Sequence, residues 1–222
     1  MRENLTELVF ILDKSGSMAG LESDTIGGFN SLIAKQQKEE GEAYVSTVLF
    51  SDQSCVIHDR QPIENIGKMT ENEYTVGGCT ALLDAVGGAI HHIGNIHKYA
   101  REEDRPGKTL FVITTDGLEN ASRQYTIDKV KQLIERQKEK YHWEFLFLGA
   151  NIDAVEVAGH MGISRDRTAN YCADSTGTAL NYTVLEQAVS SVRRSKNSGE
   201  MAMAFHGGAW KKDIDRDYEN RK

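Results

Sequence analysis

An apolar run that stops abruptly at a carboxylate constrains the fold of this chain more than any other feature. Residues 9–12 read Val-Phe-Ile-Leu and are followed by Asp13, with hydroxyl side chains at Ser15 and Ser17. A short continuous apolar run is typical of a strand that is covered on both faces of a parallel sheet. Because open parallel sheets hold ligands beyond the carboxyl ends of their strands, we expect these three side chains at that edge.

Two further segments show the same placement. An apolar run over residues 110–113 leads through two threonines to Asp116 and a glycine, and a glycine-rich loop presents Thr80 directly before a helix-like segment. The three segments together offer two carboxylates and three hydroxyl groups, an oxygen-only set that suits a hard cation such as Mg²⁺. The predicted metal ligands are Asp13, Ser15, Ser17, Thr80 and Asp116.

Strand-like and helix-like segments alternate along most of the chain. The segments are strand-like at 44–50, 143–148 and 168–173, and helix-like at 23–40, 81–99, 126–137 and 179–194. This alternation predicts a mostly parallel sheet with helices on both faces. A run at 54–58, joined by a short turn to the strand before it, predicts one antiparallel edge strand. The predicted fold class is therefore α/β, doubly wound and Rossmann-like.

The three motifs together resemble the metal-ion-dependent adhesion site of von Willebrand factor type A domains. The matching pieces are Asp13-x-Ser15-x-Ser17, Thr80 in Gly-Gly-x-Thr, and Asp116 in Thr-Asp-Gly. The resemblance implies an intact site that holds Mg²⁺, or Mn²⁺ or Ca²⁺, with the hydroxyls nearer the ion and the aspartates acting largely through water. It also implies that an Asp or Glu carboxylate from a partner protein completes the coordination. The expected function is that of a metal-dependent adaptor or scaffold.

The resemblance assigns residues 1–195 to one domain and leaves 196–222 as a C-terminal extension. That extension is apolar from Met201 to Trp210 and then becomes a charge-dense tail, which we expect to be solvated. We expect the apolar part to pack back on the domain; the alternative is that it serves as a docking arm for a partner. The resemblance further implies that the helix over 179–194 can shift when the metal takes a ligand. We expect four residues beside the metal loops to shape partner specificity: Tyr74, Glu119, Asn120 and Tyr125.

The charge balance and the cysteines bound the choice of partner and compartment. The chain has 26 basic and 33 acidic residues, a net charge of −7, which argues against nucleic acid or an anionic membrane as partner. Cys55, Cys79 and Cys172 are too sparse for a disulfide framework or a zinc site. No secretory pattern and no apolar run of about 18 residues is evident. We expect a small, cytoplasmic, bacterial-type member with an ATPase-type subunit as a possible partner; its oligomeric state stays open.

An enzyme that uses Asp13 as a nucleophile is the alternative. Mg²⁺-dependent phosphoryl transfer or phosphatase chemistry would also need a strand-end aspartate, a downstream hydroxyl and a second aspartate near the metal. Against this reading, Ser15 stands where a second acid is expected, and the Gly-Lys-Thr at 107–109 lacks the first glycine of a phosphate loop. Ser17 is not in a Gly-x-Ser-x-Gly elbow either. The sequence therefore favours a binding module.

Overall fold

A six-stranded sheet forms the centre of the computed structural model, which describes residues 1–221. The strands are β1 Arg2–Asp13, β2 Glu42–Phe50, β3 Ser54–Pro62, β4 Pro106–Thr115, β5 Glu144–Ala150 and β6 Thr168–Tyr171. They lie in the order β3-β2-β1-β4-β5-β6, and every neighbouring pair is parallel except β2 and β3. The predicted mostly parallel sheet with one antiparallel edge strand is confirmed.

Helices cover both faces of this sheet. They are α1 Glu22–Gln36, α2 Leu82–Tyr99, α3 Ile127–Tyr141, α4 Ala154–His160, α5 Ser175–Arg194, α6 Ser198–Phe205 and α7 Lys212–Arg221. One apolar core joins the sheet to α1, α5, α6 and α7, and the other joins it to α2, α3 and α4. The predicted doubly wound architecture is therefore confirmed.

The strand order places the switch point of the sheet between β1 and β4. From β1 the chain builds the sheet outward to one side through β2 and β3, whereas β4, β5 and β6 extend it to the other side. Leu12 lies opposite Thr114 in the register, so Asp13 and Thr115 end their strands side by side. The residues from Leu8 to Leu12 are buried on both faces, which explains their continuous apolar run. Crevices at such switch points are the usual ligand sites of open α/β sheets.

The C-terminal segment differs from the expected solvated tail. Residues 212–221 form α7, which packs against β6 and α5 and buries Ile214. The preceding apolar segment packs back on the domain as predicted, with Met201 and Phe205 fully buried and the indole N–H of Trp210 donating to a backbone carbonyl. The expectation was wrong for α7 because it rested on the density of charge in this segment, whereas Ile214 and Tyr218, four residues apart, share one face of the helix.

Two further expectations can be compared with the described part of the chain. Cys55, Cys79 and Cys172 are free thiols. Within residues 1–221, no helix combines the length and the apolar character that are needed to cross a lipid bilayer.

Candidate metal centre

The loop after β1 folds back on itself at the carboxyl edge of the sheet. The Oδ1 atom of Asp13 accepts a hydrogen bond from the backbone N–H of Ser15 at 2.7 Å. This Asx-type contact turns the chain, and a 3₁₀ turn over residues 16–18 follows. The hydroxyl oxygens of Ser15 and Ser17 consequently lie 3.1 Å apart. Two of the three predicted hydroxyl ligands are thus adjacent.

Backbone hydrogen bonds join this loop to the glycine loop that carries Thr80. The N–H of Gly16 donates to the carbonyl oxygen of Gly78 at 3.0 Å, and the N–H of Gly77 donates to that of Lys14 at 2.9 Å. Gly78 has a φ of +82°, and a Cβ atom there would lie 2.1 Å from the carboxylate of Asp52. Only glycine fits this position. The glycines therefore permit the close approach that brings Thr80 to the site.

The loop after β4 completes the cluster. The Oδ2 atom of Asp13 accepts the hydroxyl of Thr115 at 2.7 Å and the backbone N–H of Asp116 at 3.2 Å. A Cβ atom on the next residue, Gly117, would lie 3.3 Å from both the Ser17 Oγ and the Thr80 Oγ1 atoms. All five predicted residues are therefore brought together from three loops. Their role as metal ligands stays a prediction.

The two aspartates are the charged groups of the cluster, and both are nearly buried. Asp13 is 1% exposed and Asp116 is 2% exposed. Burial raises the pKa of Asp116 to about 6, the nearby charge of Asp13 adds to this rise, and a hydrogen bond from Asn151 opposes it. Two carboxylates in a poorly solvated place repel each other, so a cation bound there would relieve the repulsion.

The donor chemistry fits a hard divalent cation. Within residues 1–221, no three His, Cys, Asp or Glu side chains are grouped so that they could hold a metal. The candidate centre instead combines two carboxylates with three hydroxyls, and Mg²⁺ prefers such oxygen ligands while keeping several of its waters. The arrangement therefore leaves coordination positions for water or for an external ligand.

The β4–α3 loop braces the Thr80 loop. The side-chain oxygen of Asn120 accepts the backbone N–H of Thr80 at 2.8 Å, and the N–H of Asn120 donates to the Thr80 carbonyl at 3.0 Å. The Glu119 carboxylate accepts the N–H of Leu83 at 2.8 Å and so caps the start of α2. Glu119 and Asn120 thus hold the predicted ligands in place, whereas their predicted contact with a partner is untested.

The two tyrosines predicted to shape specificity lie in different surroundings. Tyr74 is only 1% exposed, and its hydroxyl donates to the backbone carbonyl of Asp13. A buried ring cannot contact a partner, so the predicted role in partner specificity is wrong for Tyr74. Its hydroxyl instead holds the loop after β1. Tyr125 is half-buried against α2, where a Cβ atom on Gly87 would lie 2.3 Å from its ring. Gly87 therefore allows the ring of Tyr125 to pack closely on α2.

Two residues of the site, Thr115 and Asn151, were not among those predicted from the sequence. Thr115 holds Asp13, as described, and the amide of Asn151 donates to the Oδ1 atom of Asp116. Asn151 follows β5 directly and has a φ of +54°, a left-handed conformation that asparagine tolerates better than most residues. Its position could have identified Asn151 as a site residue, because it is polar and lies at the carboxyl end of β5, as Asp13 and Asp116 lie at those of β1 and β4.

The comparisons with known proteins rest on structure. No family model and no curated protein sequence matches the chain. Proximal thread matrix protein 1 from the mussel byssus, solved with a zinc-occupied MIDAS motif (metal-ion-dependent adhesion site), matches 82% of this chain with a TM-score of 0.59 and 11% identity. A von Willebrand factor type A protein from Catenulispora acidiphila matches 84% with a TM-score of 0.55 and 15% identity.

A third similar structure is the pilus adhesin SpaC from Lactobacillus rhamnosus GG in an open conformation. It matches 84% of this chain with a TM-score of 0.61 and 11% identity. The matched regions are 47% of the mussel chain, 42% of the Catenulispora chain and 30% of SpaC, so this chain spans less than half the length of each. At these identities the likeness concerns the fold. The chain has the fold of von Willebrand factor type A domains.

Proposed function

We propose that this protein is a divalent-metal-dependent binding module, an adaptor or scaffold that recognises an Asp or Glu carboxylate of a partner protein. The convergence of Asp13, Ser15, Ser17, Thr80 and Asp116 from three loops at the switch point of the sheet carries this proposal. Mg²⁺ is the cation that we favour, with Mn²⁺ or Ca²⁺ as substitutes. The zinc-occupied MIDAS motif of the mussel protein, which is similar to this chain in fold, supports a divalent ion as the ligand.

The chemistry of the ligand set explains why a bound cation would attract a carboxylate. Hydroxyl ligands such as Ser15, Ser17 and Thr80 are neutral, so they leave the charge of the cation largely uncompensated. Ser17 is exposed, which opens this side of the cluster to an incoming group. A partner carboxylate would replace a water on the ion and complete the coordination. Recognition would therefore need both the cation and an acidic partner residue.

The environment of Asp13 argues against the phosphoryl-transfer alternative. Its two carboxylate oxygens accept three hydrogen bonds, from the backbone N–H groups of Ser15 and Asp116 and from the Thr115 hydroxyl. Three hydrogen bonds leave about one acceptor site of the carboxylate free, and because Asp13 is 1% exposed a phosphate ester has no open approach to it, whereas a small cation can be held there through a bridging water. This supports a protein without a catalytic step of its own.

We further propose that this is a cytoplasmic protein that acts as part of a larger assembly, for example one with an ATPase-type subunit. The free thiols of Cys55, Cys79 and Cys172 support a reducing compartment. The net charge of −7 supports a protein partner over nucleic acid or an anionic membrane surface.

The first test is a titration with Mn²⁺ followed by electron paramagnetic resonance, which reports the free ion. We expect the chain to bind one Mn²⁺ that Mg²⁺ displaces, and Asp116→Asn to lose this binding. Asp128→Asn, which removes an exposed carboxylate at the start of α3, is the matched control and should bind like the native chain. Equal binding by Asp116→Asn would contradict the proposed centre.

The second test identifies the partner. Proteins from a lysate of the source organism that the immobilised chain retains in Mg²⁺ should be lost in EDTA and with Asp116→Asn.

The third test concerns catalysis. Hydrolysis of p-nitrophenyl phosphate that requires Mg²⁺ and disappears in Asp13→Asn would overturn the binding module in favour of the enzyme.

A further inference from the structure

A cleft of about 550 Å³ opens at the carboxyl edge of the sheet beside the candidate metal centre. The loop after β5 lines the cleft with Asn151 and Asp153, and the end of β6 lines it with Asn170 and Cys172. Tyr218 of α7 also lines it. The C-terminal helix therefore shapes a concave surface next to the metal centre.

Asn151 makes the cleft and the metal centre continuous. Its amide donates to the Oδ1 atom of Asp116, and the same residue lines the cleft. Asp153 follows two residues later, at most about 7 Å further along the chain. A partner segment that binds the cation with its carboxylate would consequently enter the cleft with the residues next to that carboxylate.

Asp153 gives the cleft a negative charge. It is exposed, and one of its carboxylate oxygens accepts the backbone N–H of Glu156 at 3.0 Å as the cap of α4. The side-chain amide oxygen of Asn170 accepts the backbone N–H of Ala154 at 2.9 Å. Among the described residues that line the cleft, none carries a positive charge, and the guanidinium of Arg221 close to Cys172 is already paired with Asp174 and Asp217. The cleft therefore repels a second acidic side chain and attracts a basic one.

We propose that this cleft is a second subsite of partner recognition, which takes a Lys or Arg side chain from the same segment whose Asp or Glu binds the metal. The charged head would meet Asp153, and its methylene stem would lie along the ring of Tyr218. This inference rests on the proposed function and narrows the partner to a segment that places an acidic residue near a basic one.

Selection of peptides from a displayed random library in Mg²⁺ tests both steps. The native chain should enrich peptides that contain an acidic and a basic residue within about four positions of each other. Asp153→Asn should still enrich acidic residues but lose the basic preference, and because asparagine caps helices as well as aspartate does, α4 stays intact. Asp116→Asn should lose all Mg²⁺-dependent enrichment, whereas Asp128→Asn should behave like the native chain.

Affinities of one selected peptide then give the coupling between the two charges. For a partly exposed charge pair, Asp153→Asn should weaken binding about fivefold. Replacing the basic residue of the peptide by Gln should cause a similar loss in the native chain and no further loss in Asp153→Asn. Additive losses would mean that the two charges do not meet and would overturn the subsite.

Cys172 reports occupancy of the cleft directly. In a Cys55→Ser/Cys79→Ser background, the bound peptide should slow the alkylation of Cys172 by iodoacetamide. The peptide whose basic residue is replaced by Gln, compared at equal saturation, should slow this alkylation less. Full reactivity of Cys172 in the complex would place the basic side chain elsewhere. The selection separates the two proposals. If it yields no acidic peptides that depend on Mg²⁺, the proposed metal-dependent function fails. If it yields acidic peptides without a preference for a basic residue, only the proposed subsite in the cleft is overturned.

Discussion

At the scale of single residues, Asp13 organises the candidate centre from within the protein. One of its oxygens turns the first loop through the N–H of Ser15, and the other holds the loop after β4 through Thr115 and Asp116. Such fixed contacts pre-arrange the donor atoms, so a cation would find its ligands in position. Asp116 is tied down less fully and shows the perturbed pKa, which makes it the group whose protonation should govern metal binding.

The affinity for Mn²⁺ should depend on pH through Asp116. Its pKa of about 6 means that the carboxylate is ionised at pH 7 and becomes protonated as the pH falls through 6. Because a proton competes with the cation, the affinity should be constant from pH 8 to 7 and fall about tenfold per unit below pH 6. A Mn²⁺ titration at four pH values from 5 to 8 measures this.

Asn151→Gly is the matched variant for this pH dependence. Glycine accepts the left-handed backbone of residue 151, while the loss of the amide removes the hydrogen bond that lowers the pKa of Asp116. The fall in affinity should therefore begin at a higher pH than in the native chain. An affinity that stays constant down to pH 5 in both proteins would contradict the role assigned to Asp116.

A second residue-scale prediction concerns Glu7, which is fully buried on β1. Its Oε2 atom accepts hydrogen bonds from the Arg60 Nε atom at 2.8 Å and from the His97 Nε2 atom at 3.1 Å. Removing one member of a buried charge pair leaves the other uncompensated, so Glu7→Leu should lower the free energy of unfolding by about 3 kcal/mol. Urea denaturation measures the loss.

The control for this prediction is Glu3→Gln on the exposed start of the same strand, which should change stability by less than about 0.5 kcal/mol. Glu7 lies six residues before Asp13, about 20 Å along the strand, so Mn²⁺ affinity should be retained in Glu7→Leu. A stable Glu7→Leu protein would mean that Arg60 and His97 find solvent or other partners at little cost.

At the scale of elements, the C-terminal end of α5 is held by two buried cationic side chains. The Lys108 Nζ atom donates to the backbone carbonyls of Arg193 and Ser195, each at 2.7 Å. The guanidinium of Arg193 donates to carbonyls of the α1–β2 connection, those of Gln36, Glu39, Glu40 and Gly41. These contacts oppose the shift of α5 that the resemblance implies, which stays a prediction.

Lys108→Met should loosen this end of α5. Burial lowers the pKa of Lys108, which means that keeping its ammonium charged inside the protein costs free energy. Removing the ammonium leaves the backbone carbonyls of Arg193 and Ser195 without their donor. An unsatisfied buried acceptor costs about 1–3 kcal/mol, and faster hydrogen exchange over residues 190–195 should report it. Lys129→Met on the exposed face of α3 is the control, and equal exchange in the two variants would assign the rigidity of α5 to packing alone.

At the scale of the whole molecule, the parts that the sequence predicted are those with a local signal. Asp13 and Asp116 end apolar strands, and strand ends meet at one edge of a parallel sheet whatever the rest of the chain does. The role of Asn151 depends on a partner 35 residues away, and the burial of Tyr74 depends on how its loop folds over the sheet. No local pattern carries either fact, whereas in α7 the density of charge masked the helical spacing of Ile214 and Tyr218.

The metal should also be linked to the stability of the whole fold, because its ligands come together only in the native state. An ion that binds the native chain alone adds about 2.7 kcal/mol to the free energy of unfolding at a hundred times its Kd. For a chain of this length, each kcal/mol raises the Tm by about 2–4 °C. Mg²⁺ should therefore raise the Tm of the native chain and of Asp128→Asn by several degrees, and EDTA should reverse the rise. Asp116→Asn should not respond, and an equal rise in that variant would place the stabilising ion outside the three loops.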